Sequence, residues 1–411
     1  MNTSSTVNVS QAAKAIGVST DTVRRWEKKG LIRGFRSSLN YRLFNLHEIE
    51  RIHQKINGKS SESNYQILKS SKKTKYTSIE LFAGSGGTSL GFENAGFQHV
   101  LLNEFDKNAA ATLRKNRPKW NLIEGDVRNL NFEGLKADVV QGGFPCQAFS
   151  YAGKKMGFED VRGTLFFEFA RCIKAVKPKI AVGENVRGLL THDDGRTLSA
   201  MVGILEELGY KVSYKVLKAQ YFDVPQKRER LIILAVRNDL DMPFNFPEEQ
   251  DYTVSLREAL KDCPTSAGQK YPIKKHSVLQ LIPPGGYWRD LPEKLQKEYM
   301  GASYYHGGGK TGMARRLSWD EPSLTLTCSP AQKQTERCHP EETRPLTIRE
   351  YARIQTFPDD WEFVGSTASQ YKQIGNAVPV NLGYHIAKSL IEMLDGKAVR
   401  KESPANFALA S

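Results

Sequence analysis

Short apolar runs, each followed by a Gly- or Pro-bearing turn, recur between residues 76 and 250. Tyr76-Thr77-Ser78-Ile79-Glu80-Leu81, Val100-Leu101-Leu102-Asn103, Ala137-Asp138-Val139-Val140 and Lys179-Ile180-Ala181-Val182-Gly183 have the length and apolar content of buried strands. Val212–Leu217 and Leu231–Val236 read the same way. Helical stretches lie between them, around Leu90-Gly91-Phe92, from Gly163 to Phe169 and near Leu198–Leu208. Strands alternating with helices predict an open α/β sheet, whose ligands gather at the carboxyl ends of the strands.

The first 56 residues have a different rhythm. Val9–Ile16 predicts a short helix with Ser10 as its cap, and Gly17-Val18 breaks it. A second helix starts at Ser19-Thr20-Asp21-Thr22, runs through Val23–Lys29 and stops at Gly30. Two short helices about a glycine turn make a helix-turn-helix. Thr20, Arg24 and Arg25 on the second helix suit bases and phosphates, and Arg33, Arg36 and Arg42 follow in an expected β-wing from Gly30 to Phe44. The pattern VSQAAKAIGVSTDTVRRWEKKGLI…YRLFNLHEIERI resembles the winged helix-turn-helix of MerR-type regulators. A protein-contacting helical module is the blander alternative.

Residues 57–75 are polar, basic and Ser-rich, which predicts a flexible linker. From 240 to 345 regular apolar period is lost, and Pro, Gly, Tyr and basic residues increase, as in a recognition surface of loops. Pro322–Thr327 is a firmer strand within it, and Arg344–Gln355 reads as a strand end with a helix. Ile374-Gly375-Asn376-Ala377-Val378-Pro379-Val380 opens a helix to about Leu394, and 397–411 is a polar tail.

Charge sharpens this division. The 411 residues carry a net +14, of which +10 lies in residues 1–75, with 15 Lys/Arg against 5 Asp/Glu. A polyanionic partner, by default nucleic acid, is implied. Five widely spaced cysteines without a CxxC pair argue for a reducing, cytoplasmic setting and against disulfides or a structural metal. There is no secretory-type leader and no membrane-length apolar run.

Candidate chemistry centres on Gly142-Gly143-Phe144-Pro145-Cys146-Gln147-Ala148-Phe149-Ser150, a turn after a buried strand. A thiolate there would be a strong nucleophile, although a buried structural cysteine fits the tripeptide equally well. Glu184, at the end of the next strand, is a candidate general acid. Gln226-Lys227-Arg228-Glu229-Arg230 precedes another strand, whose period points Arg228 and Arg230 to one face. Phe82-Ala83-Gly84-Ser85-Gly86-Gly87 offers bare backbone amides at a strand-to-helix turn, and Ser89 stands where a dinucleotide fingerprint wants glycine. Glu104 suits ribose hydroxyls, and Asp126, after Gly125, suits an adenine amino group. With acids around the site and no P-loop lysine, an adenosine-bearing cationic ligand such as a sulfonium is favoured.

ELFAGSGG, NEFD, GD, GGFPCQAFS, ENV, QKRER, RPLTIREYARIQTFPD and QIGNAVP occur in this order between about Ser78 and Leu394. The chain thereby resembles the DNA (cytosine-5) methyltransferases of restriction–modification systems. The resemblance implies a doubly wound sheet binding S-adenosyl-L-methionine (76–250 plus 371–396) and a target-recognition domain (251–370). It implies Cys146 as nucleophile, Glu184 at the cytosine ring, and Arg228, supported by Arg230 and Gln226, at its carbonyl. It places Phe82, Ala83, Gly84, Gly86, Gly87, Glu104, Asp126, Val127, Pro145, Leu165, Asn376 and Val378 around the cofactor. Double-stranded DNA is the implied partner, contacted by Gln147, Ser150, Arg315, Arg316 and Thr325 together with Thr20, Arg24, Arg25 and Arg36. A cognate restriction endonuclease would be a genetic rather than physical partner, and the setting a bacterial nucleoid.

Three rivals are weighed against this reading. A tRNA cytosine-5 methyltransferase would carry a Cys-Phe-Thr signature, absent here. A DNA-binding regulator with vestigial catalysis would have lost Cys146, Glu184 or Arg228. A nicotinamide oxidoreductase explains the glycine turn and Glu104 but not Cys146.

Overall fold

The computed structural model describes residues 6–28, 31–37, 40–46, 49–50, 52–53, 65–145, 164–306 and 310–397. Two compact units emerge. One comprises residues 1–67, 219–228 and 249–359; the other comprises 68–218, 229–248 and 360–411.

In the first unit, β1 (Thr6–Asn8) leads into α1 (Val9–Ile16) and α2 (Thr20–Lys28), followed by β2 (Gly34–Arg36) and β3 (Arg42–Asn45). The strands form an antiparallel sheet in the order β1-β3-β2, so the wing has a third strand that the pattern did not predict. Asn8, not Ser10, caps α1: its Oδ1 accepts from Ser10 N and Gln11 N, while Gln11 Oε1 accepts from Asn8 N. Gly17 ends α1 in the left-handed region at φ 68°. Ala12, Ala13, Ile16, Val23, Trp26, Ile32 and Phe44 close a small core.

The second unit is built on a seven-stranded sheet. Its elements begin with β4 (Thr77–Leu81), α3 (Gly87–Ala95), β5 (Gln98–Glu104), α4 (Lys107–Asn116), β6 (Leu122–Glu124) and β7 (Val139–Gly142). They continue through α5 (Leu165–Val176), β8 (Ile180–Val186), α6 (Arg196–Glu207) and β9 (Tyr210–Lys218). The chain then supplies β10 (Gln226–Lys227) to the first unit and returns as β11 (Glu229–Arg237). The sheet order is β6-β5-β4-β7-β8-β11-β9. Strands β6 to β8 are parallel, and β11 runs antiparallel to both β8 and β9. This is the expected doubly wound arrangement. The order reverses between β4 and β7, so the switch point lies at their carboxyl ends.

Several boundaries differ from the sequence reading. Residues 68–75, assigned to a linker by composition, are pinned to the second unit. Leu68 N donates to Asn381 Oδ1, Ser70 N to Asn94 O and Thr74 N to Gly96 O, which outweighs their polar composition. The recognition segment leaves the first unit at Asp359 rather than 370, because Trp361 is buried beside Trp120 and Arg117. A helix at Thr367–Asn376 (α7) precedes the expected one, Val380–Leu394 (α8). Helix α8 packs on α3 through glycines: a Cβ on Gly91 would meet Val380 O at 2.5 Å, and one on Gly87 would collide with Val378 O.

Within the recognition segment only Ser323–Leu324 (β12) of the predicted 322–327 strand is paired, in parallel with β10. Short helices at Leu256–Ala259, Ile273–Leu279, Glu293–Met300 and Ile348–Ile354 interrupt its loops.

Candidate active site

The carboxyl ends of β4, β5, β7 and β8 carry the acids and the turns that the sequence singled out. After β4 the backbone takes an unusual course: Phe82 sits at φ 60°, Gly84 at φ 57° and Gly86 at φ 92°. A non-glycine residue in the left-handed region is uncommon and marks a turn held by its surroundings. Ala83 N donates to Asn103 O and Ser85 Oγ to Gln373 O, so β5 and α7 hold this loop. Nothing lies within 4 Å of where a Gly84 side chain would project, which leaves that side of the turn open to a ligand.

Glu104 ends β5 as expected and braces the same loop. Its Oε2 accepts from Gly84 N at 2.6 Å and its Oε1 from Asp106 N at 2.7 Å. Burial pushes its carboxyl above the ordinary glutamate range, opposed by the backbone bonds from Asp106 and Gly84. Phe105, directly after it, is 72% exposed. Sequence reasoning passed over this ring; an aromatic adjoining the ribose acid was the available signal.

Asp126 has local partners of its own. It caps the turn Val127–Asn129 through Arg128 N, and Arg128 Nε and Nη2 grip both carboxylate oxygens. The bond to Arg128 holds its carboxyl below the usual aspartate range. Val127 is buried, and Leu165 packs, half-buried, with Phe82 around the same core. Val378 lines a cavity with Glu80, Gln141, Gly143 and Glu184, while Asn376 is exposed at the end of α7.

The stem of the central turn is well built. Phe144 is buried against Phe166 and Phe169, with ring centroids at 5.1 and 5.3 Å. Asn185 Nδ2 donates to Phe144 O at 2.9 Å, tying the turn after β7 to the end of β8. Pro145 follows, exposed; Cys146, Gln147 and Ser150 lie outside the described residues.

Glu184 stands beside this stem. Its Oε1 pairs with Arg230 Nε at 2.7 Å, and a Cβ placed on Gly143 would lie 3.0 Å from its Oε2. The Arg230 side chain is 12% exposed, and burial lowers its guanidinium pKa against the pull of Glu184. The ion pair crosses from β8 to β11, two neighbouring antiparallel strands.

Other predicted residues fall in the first unit. Arg228 follows β10 rather than lying within β11, so the strand period does not link it to Arg230; it is buried, and its Nη1 donates to Leu326 O. Gln226, expected in a catalytic role, is fully buried, with its amide spent on Gln355 Oε1 and Leu326 N. Thr325 Oγ1 donates to Lys227 O. Arg316 is a structural residue rather than an exposed DNA contact. It is 3% exposed and donates to the carbonyls of His339, Glu341, Glu342 and Leu279 and to Thr343 Oγ1. Arg315 is half-buried near Glu321 and the ring of Tyr287. On the N-terminal module Arg24, Arg25 and Arg36 are exposed and Thr20 is half-buried. Arg24 pairs with Asp21, and Arg33 and Arg42, also exposed, pair with Glu249 and Glu27.

The chain's relatives agree with this architecture. Residues 76–392 match the C-5 cytosine-specific DNA methylase family, and residues 8–44 match the MerR family of regulatory proteins. The type II methyltransferase M.Eco47II of Escherichia coli is 56% identical over 402 residues, covering 94% of this chain and 96% of that protein. M.PspPI of a Psychrobacter strain is 53% identical over 93% of this chain and 95% of its own length. Among solved structures, a mutant of Spodoptera frugiperda DNMT2 superposes with TM-score 0.52 at 19% identity, covering 77% of this chain and 100% of that one. This last likeness concerns the fold alone. No helix among the described residues is long and apolar enough to cross a membrane. By its motifs, its sheet and its relatives, the chain belongs to the C-5 cytosine-specific DNA methylase family and is a type II DNA cytosine-5 methyltransferase of restriction–modification type.

Proposed function

We propose that the protein transfers a methyl group from S-adenosyl-L-methionine to carbon 5 of a cytosine flipped out of duplex DNA, through a bond between Cys146 and carbon 6. The observation that carries this reading is the Glu184–Arg230 pair, fixed beside the Phe144 stem from which Cys146 follows within two residues.

The site's residues fit the cofactor. The open side of the turn at Gly84, the Glu104 carboxylate and the exposed Phe105 ring suit a ribose and an adenine. Asp126 and Val127 would hold the adenine edge. When bound, the cofactor supplies an electrophilic methyl group on a sulfonium.

Cytosine carbon 5 is a weak nucleophile. Addition of the Cys146 thiolate to carbon 6 turns the ring into an enamine and makes carbon 5 nucleophilic. Glu184 hydrogen-bonds the ring at N3 and its amino group, stabilising the charge that develops there. Arg230 holds the Glu184 carboxylate in place, and Arg228 binds the ring carbonyl. Loss of the carbon 5 proton expels the sulfur. None of these groups can reach a stacked base, so the cytosine must leave the helix, at about a few kcal/mol.

The N-terminal module adds a second DNA contact through Arg24, Arg25 and Arg36, and represses the promoter of its own restriction–modification genes. Modification protects host DNA from a cognate endonuclease in the cytoplasm. The test is covalent trapping. Duplex containing 5-fluorocytosine, incubated with protein and methyl donor, should give a denaturation-resistant adduct in wild type and none in Cys146→Ala. Absence of adduct with wild type at every cytosine context, while methyl transfer proceeds, would refute the mechanism.

A further inference from the structure

Glu184 has a buried acidic neighbour on its own face of the sheet. Glu80 on β4 stands directly across from Gln141 on β7, and Gln141 across from Val182 on β8. Side chains alternate along a strand, so Glu184 shares a face with Val182, as Gly143 does with Gln141. Adjacent strands lie about 4.8 Å apart, so Glu80 is roughly 10 Å from β8, with Glu184 about 6.6 Å further along it. Gln141 fills part of that gap. Glu80, Gln141, Gly143 and Glu184 line one cavity of about 20 Å³, room for about one water molecule.

The polar atoms around the cavity are unevenly served. Glu80 Oε2 accepts from Ser89 Oγ at 2.6 Å and from Gln141 Nε2 at 2.9 Å. Gln141 is 2% exposed, and its Oε1 is buried without a hydrogen-bond partner. A buried carbonyl oxygen bordering a polar cavity calls for a donor, and a water supplies one. Glu80 is 4% exposed; burial pushes its carboxyl up to about 8, against the bonds from Ser89 and Gln141 and reinforced by Glu104. It therefore carries a proton at neutral pH. Glu184 is instead paired with Arg230. Ser89 on α3, whose carbonyl binds His99 Nε2, also faces Glu80, and the rest of the cavity is lined by Thr88 and by apolar groups that include Phe92, Ile232, Val378 and Ile386.

We propose that Glu80 is the proton store for Glu184, joined to it by one water held on Gln141 Oε1. This rests on the role assigned to Glu184 above. The Glu80 O–H bond breaks and its proton passes to the water, which delivers one of its own protons to a Glu184 oxygen. Glu80 is left as a carboxylate held by Ser89 and Gln141, and Glu184 becomes the acid that donates to cytosine N3. When the ring regains aromaticity, N3 returns the proton along the same path, so the relay consumes none. Glu80 touches neither substrate nor cofactor in this scheme and acts through Glu184.

The test compares full-length wild type, Glu80→Gln, Gln141→Leu and the double variant. Single-turnover transfer of labelled methyl into unmethylated genomic DNA is followed from pH 6 to 9.5, and S-adenosylhomocysteine binding is measured by calorimetry. The wild-type rate should decline above about pH 8, where Glu80 loses its proton. Glu80→Gln should lose at least about tenfold at pH 7, less than the roughly 100- to 10,000-fold usual for a group that itself transfers a proton to substrate, and show no such alkaline decline. Its affinity for S-adenosylhomocysteine should stay within about twofold, and the double variant should be no slower than either single one. A wild-type rate and pH profile in Glu80→Gln would overturn the relay, as would a loss that only tracks weakened cofactor binding, or additive losses in the double variant. A wild type that forms no 5-methylcytosine would overturn the underlying site reading and the relay with it.

Discussion

Replacing Arg230 by Met keeps most of the side chain's volume and removes only the cation that holds Glu184. The two charged groups approach to 2.7 Å, with side chains 12% and 21% exposed. Taking charge centres about 4 Å apart and an effective dielectric of about 20, their attraction is about 4 kcal/mol. Relief of the Arg230 desolvation returns part of this, and Glu184 can partly rehydrate through its exposed fifth. The net destabilisation should therefore be about 1–3 kcal/mol, below the usual cost of breaking a fully buried pair. At about 2–4 °C per kcal/mol for a unit of this size, the melting temperature should fall by roughly 2–12 °C. Catalysis should suffer more than stability, because a Glu184 free to rotate no longer meets N3. A loss of about 2.7 kcal/mol in the transition state would lower the single-turnover rate about a hundredfold. S-adenosylhomocysteine affinity should be unchanged, since the pair lies on β8 and β11 while Gly84 and Glu104 follow β4 and β5. Labelled-methyl transfer and calorimetry separate the two effects. A rate within threefold of wild type would show that Arg230 does not position Glu184.

Asp126→Ala should weaken S-adenosylhomocysteine binding and leave the bisulfite-mapped target unchanged; equal damage to both would remove its adenine role. Arg24→Ala with Arg25→Ala should abolish retention of promoter DNA in a mobility-shift assay while methylation of genomic DNA persists; retained promoter binding would refute the second contact. His99 gives a pH signature. It is half-buried, donates from Nε2 to Ser89 O and accepts at Nδ1 from Ser78, and desolvation lowers its pKa to about 4. Between pH 4 and its ordinary 6.5 the unfolded chain binds a proton that the native state does not, so this histidine's contribution to stability rises with pH across that window. The span is worth about 3 kcal/mol at about 1.4 per pH unit. The raised Glu80 acts with the opposite sign, because its native form keeps a proton that the unfolded chain loses from about 4.5 upward. The difference in unfolding free energy between wild type and His99→Gln isolates the histidine. It should increase from pH 4 to 6.5; a flat difference would show that His99 does not titrate with folding.

Much of the site was legible because its constraints are local. Strand ends, a glycine turn and an acid twenty residues beyond Gly84 are set by sequence spacing; that Glu104 also accepts from Gly84 N was not read from it. The misjudged residues share a cause. Arg316 and Gln226 were judged by chemical type, yet their hydrogen bonds reach carbonyls and amides up to 129 positions away. Linear spacing carries no record of such partners.

The sequence by itself determined the strand–turn–helix units and the ordered motifs by which the chain belongs to the C-5 cytosine-specific DNA methylase family. Periodicity and turn chemistry act over a few residues and are written directly in the chain. Only the tertiary structure decided that Glu184 pairs with Arg230, that Glu80 and Gln141 share its cavity, and that β11 runs antiparallel between β8 and β9. Those relations join residues from 11 to 104 positions apart, and burial sets both which groups pair and which keep a proton.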